Sequence, residues 1–242
     1  EKTNSGIYMR KYYVEAFLIF ISVLSAFFLE SYRENQSKID LKNSLLIELS
    51  TAIKQDLDQI DRVKEVLNES VGSAKKLKND FFSDRKLEDK ELAVNFAKLR
   101  SMNVSYFPRD GLYNQLLDTG TLELIELKVL KNKLMYVYEH AMSRKQAVDL
   151  VIDEMGWRGM QNIAEDIVVI YGSEESQAKL ITNANDEILE NFFISKNYYD
   201  SKNVIHFYSQ SISLMIRYLN IIDSIQIDLN ETLSLIDKEL NL

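Results

Sequence analysis

Between Tyr12 and Leu29 the chain carries one ionisable side chain, Glu15, within the run YYVEAFLIFISVLSAFFL. A carboxylate in an apolar helix costs a few kcal/mol unless it is paired, protonated or facing water, so its presence there points to a role. On a helix Glu15 shares a face with Leu18, Ser22 and Ser25, and small polar residues on one face let helices approach and hydrogen-bond across the contact. Two functions fit that face. One is association between membrane helices, and the other is an ion path in an oligomeric channel or effector pore. The plainer account is that Glu15, barely one turn inside Tyr12, reaches the headgroups or pairs with Lys11.

Other chemistry is sparse. His140 and His206 are the only histidines, and neither has a second His or a carboxylate cluster at metal-ligand spacing on its own helix. The absence of Cys excludes disulfides, thiolate zinc sites and cysteine nucleophiles. There is no Gly-rich phosphate loop, no Gly-x-Ser-x-Gly and no His-Glu-x-x-His. The sequence therefore assigns no catalytic residue, no metal and no cofactor, and the chain reads as non-enzymatic. A lipid- or wall-directed enzyme would need a histidine and carboxylates gathered in one pocket. Asp56, Asp58, Asp61 and Glu65, beside Lys54 and Arg62, read as a solvated outer helix face. The segment SYFPRDGLY places Tyr106, Phe107, Arg109, Asp110 and Tyr113 around a Pro-Gly turn. It is the best small partner surface on offer, and its plainer reading is a loop whose aromatics plug the end of a bundle.

The elements that must position these residues follow from composition. The 242 residues include only 7 Gly and 1 Pro, too few turn formers for a sandwich, barrel or doubly wound sheet, and suited to long helices. Residues 1–30 balance Lys2, Arg10 and Lys11 against Glu1, Glu15 and Glu30, so the net charge of −8 lies wholly beyond them. No basic patch is available for a nucleic acid. The stretch from Tyr12 to Leu29 makes about 27 Å of helix, enough to cross a thin hydrocarbon layer. Tyr12, Tyr13 and Tyr32 suit its interfaces, and Arg10, Lys11 and Arg33 can snorkel outward. Basic residues near the span, Lys2, Arg10 and Lys11 before it and Arg33, Lys38 and Lys42 after it, tie, so charge does not choose a side.

Beyond the span, apolar residues at Leu46, Ile53, Leu57, Ile60, Leu67, Val71 and Ala74 predict that the same helix continues to Phe81, with Gly72 as its one kink. At the other end Ile205, Tyr208, Ile212, Met215, Leu219, Ile222, Gln226, Leu229, Leu233, Ile236 and Leu240 keep a 3.5-residue spacing. This predicts a helix of about 40 residues packed antiparallel on the first. Between them lie a helix over 88–102, the loop 103–111 and a short helix capped by Gly120. A long helix over 126–155 follows, bent by Gly156 and Gly159. VVIYG, 168–172, has strand character but nothing to pair with; a short helix is expected within 173–193 and a loop over 194–203.

Two stretches resemble a known family. KYYVEAFLIFISVLSAFFLESYRE, residues 11–34, carries Lys11, Tyr12, Glu15, Ser22, Ser25, Ala26, Tyr32 and Glu34. GLYNQLLDTGTLELIELKVLKNKLMYVYEH, residues 111–140, carries Tyr113, Leu116, Gly120, Leu124, Ile125, Leu130, Leu134 and Tyr138. Both are similar to an uncharacterised family of single-span, membrane-anchored helical proteins common in Bacteroidetes and flavobacteria. Ser22 and Tyr32 stand where that family commonly has Gly and Trp. The resemblance implies a bacterial inner-membrane protein with a cytoplasmic N-terminus and a periplasmic helical domain. It implies no activity.

The expectation is an all-α protein: an N-terminal flank over 1–11, a transmembrane helix over 12–30, and a helical bundle over 31–242. Because the chain starts with Glu rather than Met, the flank is expected to have lost residues. The expected function is a non-enzymatic interaction or scaffold subunit in the lipid bilayer, a homo-oligomer or a member of an envelope complex. The channel lined by Glu15, Ser22 and Ser25 is the alternative.

Overall fold

Helix α1 runs without a break from Ser5 to Phe81, about 115 Å at 1.5 Å per residue. The computed structural model describes residues 5–171 and 189–241. After α1 come α2 (Asp89–Leu99) with a 3-10 turn at its end, and a loop that leads into α3 (Gly111–Asp118). Helix α4 (Lys128–Met135) passes through a π-helical turn, Tyr136–Ala141, into α5 (Met142–Asn162). Strands β1 (Ile167–Tyr171) and β2 (Leu189–Ile194) pair antiparallel with Val168 opposite Phe193, and α6 (Lys202–Leu240) closes the fold. Apart from that ribbon the fold is all-α, as the sequence predicts.

The exposed apolar segment and the bundle are made by one helix. From Tyr12 to Leu29 the large apolar side chains are exposed, whereas α1 becomes a core element from Lys42 onward. Two lines of residues explain the change. Leu46, Ile53, Ile60, Leu67 and Ala74, seven apart, are fully buried. Beside them runs a second buried line at the same period, Lys42, Leu49, Asp56, Val63, Ser70 and Leu77, in which apolar and polar residues alternate irregularly. Helix α6 has the same construction. Its apolar line is Tyr208, Met215, Ile222, Leu229 and Ile236, and its mixed line is Val204, Ser211, Tyr218, Ile225, Thr232 and Glu239. The sequence reading placed that second line one residue on, at Ile212, Leu219, Gln226, Leu233 and Leu240, which are only half-buried. Hydrophobicity favoured the wrong flank because the buried flank holds the polar residues.

The two long helices pack antiparallel. At one end Lys42 meets Glu239, and further along Lys64 meets Asp223 at 2.6 Å and Gln226 at 2.8 Å. At the other end the Asp80 carboxylate accepts from the Leu87 N–H (2.7 Å) and the Tyr199 hydroxyl (2.6 Å). Ser201 caps α6 by accepting from the Val204 N–H while its own hydroxyl donates to Asp166.

The structure refines three expectations. Helix α1 continues through Gly72 without a break, and the glycine faces open space. Helix α5 likewise continues through Gly156 and Gly159 to Asn162. They are contact glycines: a Cβ on Gly156 would lie 2.5 Å from Asn103 Oδ1, and one on Gly159 2.4 Å from the Phe207 ring. The irregularity in that helix is the π turn instead. Finally, VVIYG does find a partner, because β2 forms from the end of the 173–193 stretch expected to hold a short helix together with Ile194 of the expected loop; residues 173–188 of that stretch, and Gly172, lie outside the described residues. Gly120 does adopt the left-handed conformation, φ +69°, that ends α3.

These glycines give opposite expectations. Gly159→Ala should destabilise the bundle by about 1–3 kcal/mol through the Phe207 clash, whereas Gly72→Ala should stabilise it by about 0.5–1 kcal/mol. Chemical unfolding of the detergent-solubilised chain, followed by circular dichroism, measures both.

Candidate functional site

Asp56 sits in the mixed line of α1 at the position that Leu49 and Val63 occupy one heptad either side, and it is fully buried. The expected solvated face is therefore wrong for this residue, while Asp58, Asp61 and Glu65 do lie outside. A carboxylate without water must have its lone pairs filled by protein donors. Oδ2 accepts from the Tyr106 hydroxyl at 2.9 Å and the Arg109 backbone N–H at 3.1 Å, and Oδ1 accepts from the Arg109 guanidinium at 2.6 Å. All three donors come from the loop around Pro108. That loop is clasped onto α1.

A second layer holds the clasp. The Tyr106 N–H donates to the Tyr218 hydroxyl of α6 at 3.2 Å. Lys145 of α5 is also buried, with its ammonium 5.5, 5.6 and 5.9 Å from the ring centroids of Tyr106, Phe107 and Tyr218. It pairs with Asp149, to which Ser105 also donates. Next to this, Tyr113 of α3 stacks on Tyr138 of the π turn (4.8 Å, 11°) and donates to Glu139 at 2.6 Å. Burial pushes the Tyr106 and Tyr138 hydroxyls above their ordinary range, and the Asp56 charge adds to it. Burial likewise raises Tyr113, reinforced by Glu139. These phenols stay protonated at neutral pH, and Asp56 has spent its oxygens on three donors. These bonds hold the Pro108 loop in position on α1.

Of the five residues expected to form a partner surface, Tyr106 and Tyr113 are core residues that present nothing outward. Phe107, 70% exposed, and Asp110 lie on the surface, and the Arg109 side chain is half exposed. The two tyrosines are packed inside the bundle, Tyr106 against Asp56 and Tyr218 midway along the long helices. Sequence reasoning missed Asp56, Lys145 and Tyr218. Asp56 was legible from the seven-residue interval to Leu49 and Val63, but Lys145 had no such signal.

The other notable polar cluster joins the ends of the long helices. Lys42 Nζ meets Glu239 Oε1 at 2.7 Å, with both side chains almost completely buried. The same carboxylate accepts from the backbone N–H groups of Glu126 (3.0 Å) and Leu127 (2.9 Å), where α4 begins. Burial alone would raise the Glu239 pKa, but the Lys42 bond and the two backbone donors outweigh it and hold it below the usual carboxylate range.

In the apolar part of α1, Glu15, Ser22 and Ser25 are exposed along one face, and the Ser22 hydroxyl donates to the Leu18 carbonyl at 2.8 Å. The histidines are apart from each other and exposed: His140 lies beside Tyr136, and His206 lines a cavity of about 300 Å³ that also includes Glu154, itself paired with Arg158. Among the described residues no group of three or more His, Asp or Glu side chains could hold a metal ion.

Fold and site together define a helical bundle built around one helix whose N-terminal part is long and apolar enough to span a membrane: its 18-residue window has mean hydropathy 1.6 and is 0% buried. The sequence model of a family of unknown function, DUF6090, matches residues 15–153, more than half the chain, and the protein belongs to that family. No curated protein and no solved structure matches the chain. The matched stretch runs from Glu15 into α5, and so contains the whole Asp56 clasp and Lys145, but not Tyr218 or Glu239.

Two measurements check these sites. Asp56→Ala strands the Tyr106 hydroxyl and frees the loop, and should cost about 2–4 kcal/mol of stability, the half-exposed Arg109 moderating the loss; hydrogen exchange at the Arg109 amide should accelerate. Because the folded-state pKa of Glu239 is depressed, its contribution is present above the unfolded value and lost as pH falls through the folded one. Stability should therefore decline as pH drops below about 4.5, and Glu239→Gln should remove that part of the slope.

Proposed function

We propose that this protein is a membrane-anchored, non-enzymatic interaction or scaffold subunit. The observation that carries the reading is the continuity of α1: an unburied apolar segment and the central helix of the bundle are one uninterrupted element. Between them, residues 30–41 form an almost wholly exposed stretch of helix carrying Arg33, Glu34 and Lys38, about 18 Å long. Such a stalk holds the bundle clear of the bilayer while transmitting its orientation. The Glu15, Ser22 and Ser25 face supplies the contact between spans, in a homo-oligomer or with another envelope protein. In the arrangement implied by the family resemblance, the membrane is a bacterial inner membrane crossed once, with the bundle in the periplasm.

The Asp56 clasp supports the same reading, because it fixes Phe107 and Asp110 as a rigid outward feature on the anchored bundle. Crosslinking in native membranes followed by sizing in mild detergent should yield a discrete oligomer or a stable hetero-complex. Ser22→Leu with Ser25→Leu should weaken it without changing bundle stability. A monodisperse monomer that crosslinks to no partner would overturn the proposal.

A further inference from the structure

The π turn marks a groove that none of the features above uses. It lies between Tyr136–Ala141 and the adjoining start of α5 on one side and α6 on the other, with a volume of about 460 Å³, within the range of small-molecule sites. Tyr136 and Ala141, the first and last residues of the π turn, both line it. π turns are rare and frequently accompany functional sites, since the extra residue shifts one helix wall outward.

The lining is chemically one-sided. Arg144 reaches it from one wall and Arg217 from the other, the Arg217 wall also carrying Ser213, Asn220 and Ser224, with Ile221 and Ile225 adding apolar lining. No Asp or Glu lines it, although the chain carries a net charge of −8. Among the described residues neither guanidinium makes a hydrogen bond or an ion pair. The carboxylates nearest in sequence on α6 are engaged: Asp228 and Glu231 with Lys133, and Asp223 with Lys64. Two unpaired guanidiniums across a groove present paired donors in the geometry that phosphate and carboxylate oxygens accept.

We infer that this groove binds a small organic oxyanion, a phosphate- or carboxylate-bearing molecule whose charged end lies between Arg144 and Arg217 and whose body rests on Tyr136 and the isoleucine lining. The anion is a soluble one, not a lipid headgroup. Asp223, directly before the groove-lining Ser224, pairs with Lys64, which lies about 50 Å along α1 from Leu29.

The test uses the full chain in nanodiscs, with inorganic pyrophosphate and citrate as probes in titration calorimetry. At least one probe should bind saturably at one site. Arg144→Gln and Arg217→Gln should each weaken it tenfold or more, Arg217→Lys should weaken it less than Arg217→Gln, and Arg62→Gln, on an exposed face of α1, should leave it unchanged. Vesicles of phosphatidylglycerol should not compete. Failure of both probes to bind saturably, an equal loss in Arg62→Gln, or displacement by the vesicles would each overturn the inference.

Discussion

The structure depends on a buried carboxylate that has to be satisfied. Asp56 lies on the helix that also forms the apolar end, and without water its oxygens need donors from elsewhere in the chain. The Pro108 loop supplies all three, so that loop can sit in one place only. Once it is seated, the Tyr106 ring becomes one wall of the site that receives Lys145, and the Tyr106 amide faces Tyr218. One residue of α1 thereby links α5 and α6 to that helix.

The same device recurs along the seam. Lys42 and Glu239 occupy mixed-line positions on α1 and α6 and together fix the start of α4. Ser70, also in the mixed line of α1, donates to the Lys98 carbonyl at the end of α2. Apolar residues drive the long helices together but say little about which crossing segment goes where, because dispersion and burial are non-directional. The polar members give direction. A buried polar group without its partner is costly, so each one excludes the arrangements that would strand it. Because the exposed apolar segment and the bundle share one helix, this fixes the bundle to the same element that carries that segment.

The architecture was legible because it follows from periodicity and from scarce turn formers. Heptad spacing located α1 and α6, and the lone Pro located the loop. The misreadings share a cause. A helix face was judged by hydrophobicity, and the mixed lines of both long helices therefore went to the wrong flank, taking Asp56 and Glu239 with them. Gly156 and Gly159 serve close approach to Asn103 and Phe207, a requirement set by residues distant in sequence. Lys145 and the groove at the π turn depend wholly on tertiary placement, and no local pattern announces them. The strand pair escaped because its second strand, Leu189–Ile194, straddles a stretch expected only to hold a short helix and the loop expected after it.

The central claim is that the Asp56 bond to the Pro108 loop specifies the bundle and is not a passive consequence of packing. A double-mutant cycle across Asp56→Asn and Arg109→Gln, read by chemical unfolding of the full chain in detergent, tests it most directly. The account predicts a coupling free energy of at least about 1.5 kcal/mol, as for residues within one buried network. A coupling below about 0.5 kcal/mol, the level of an exposed surface pair, would contradict it.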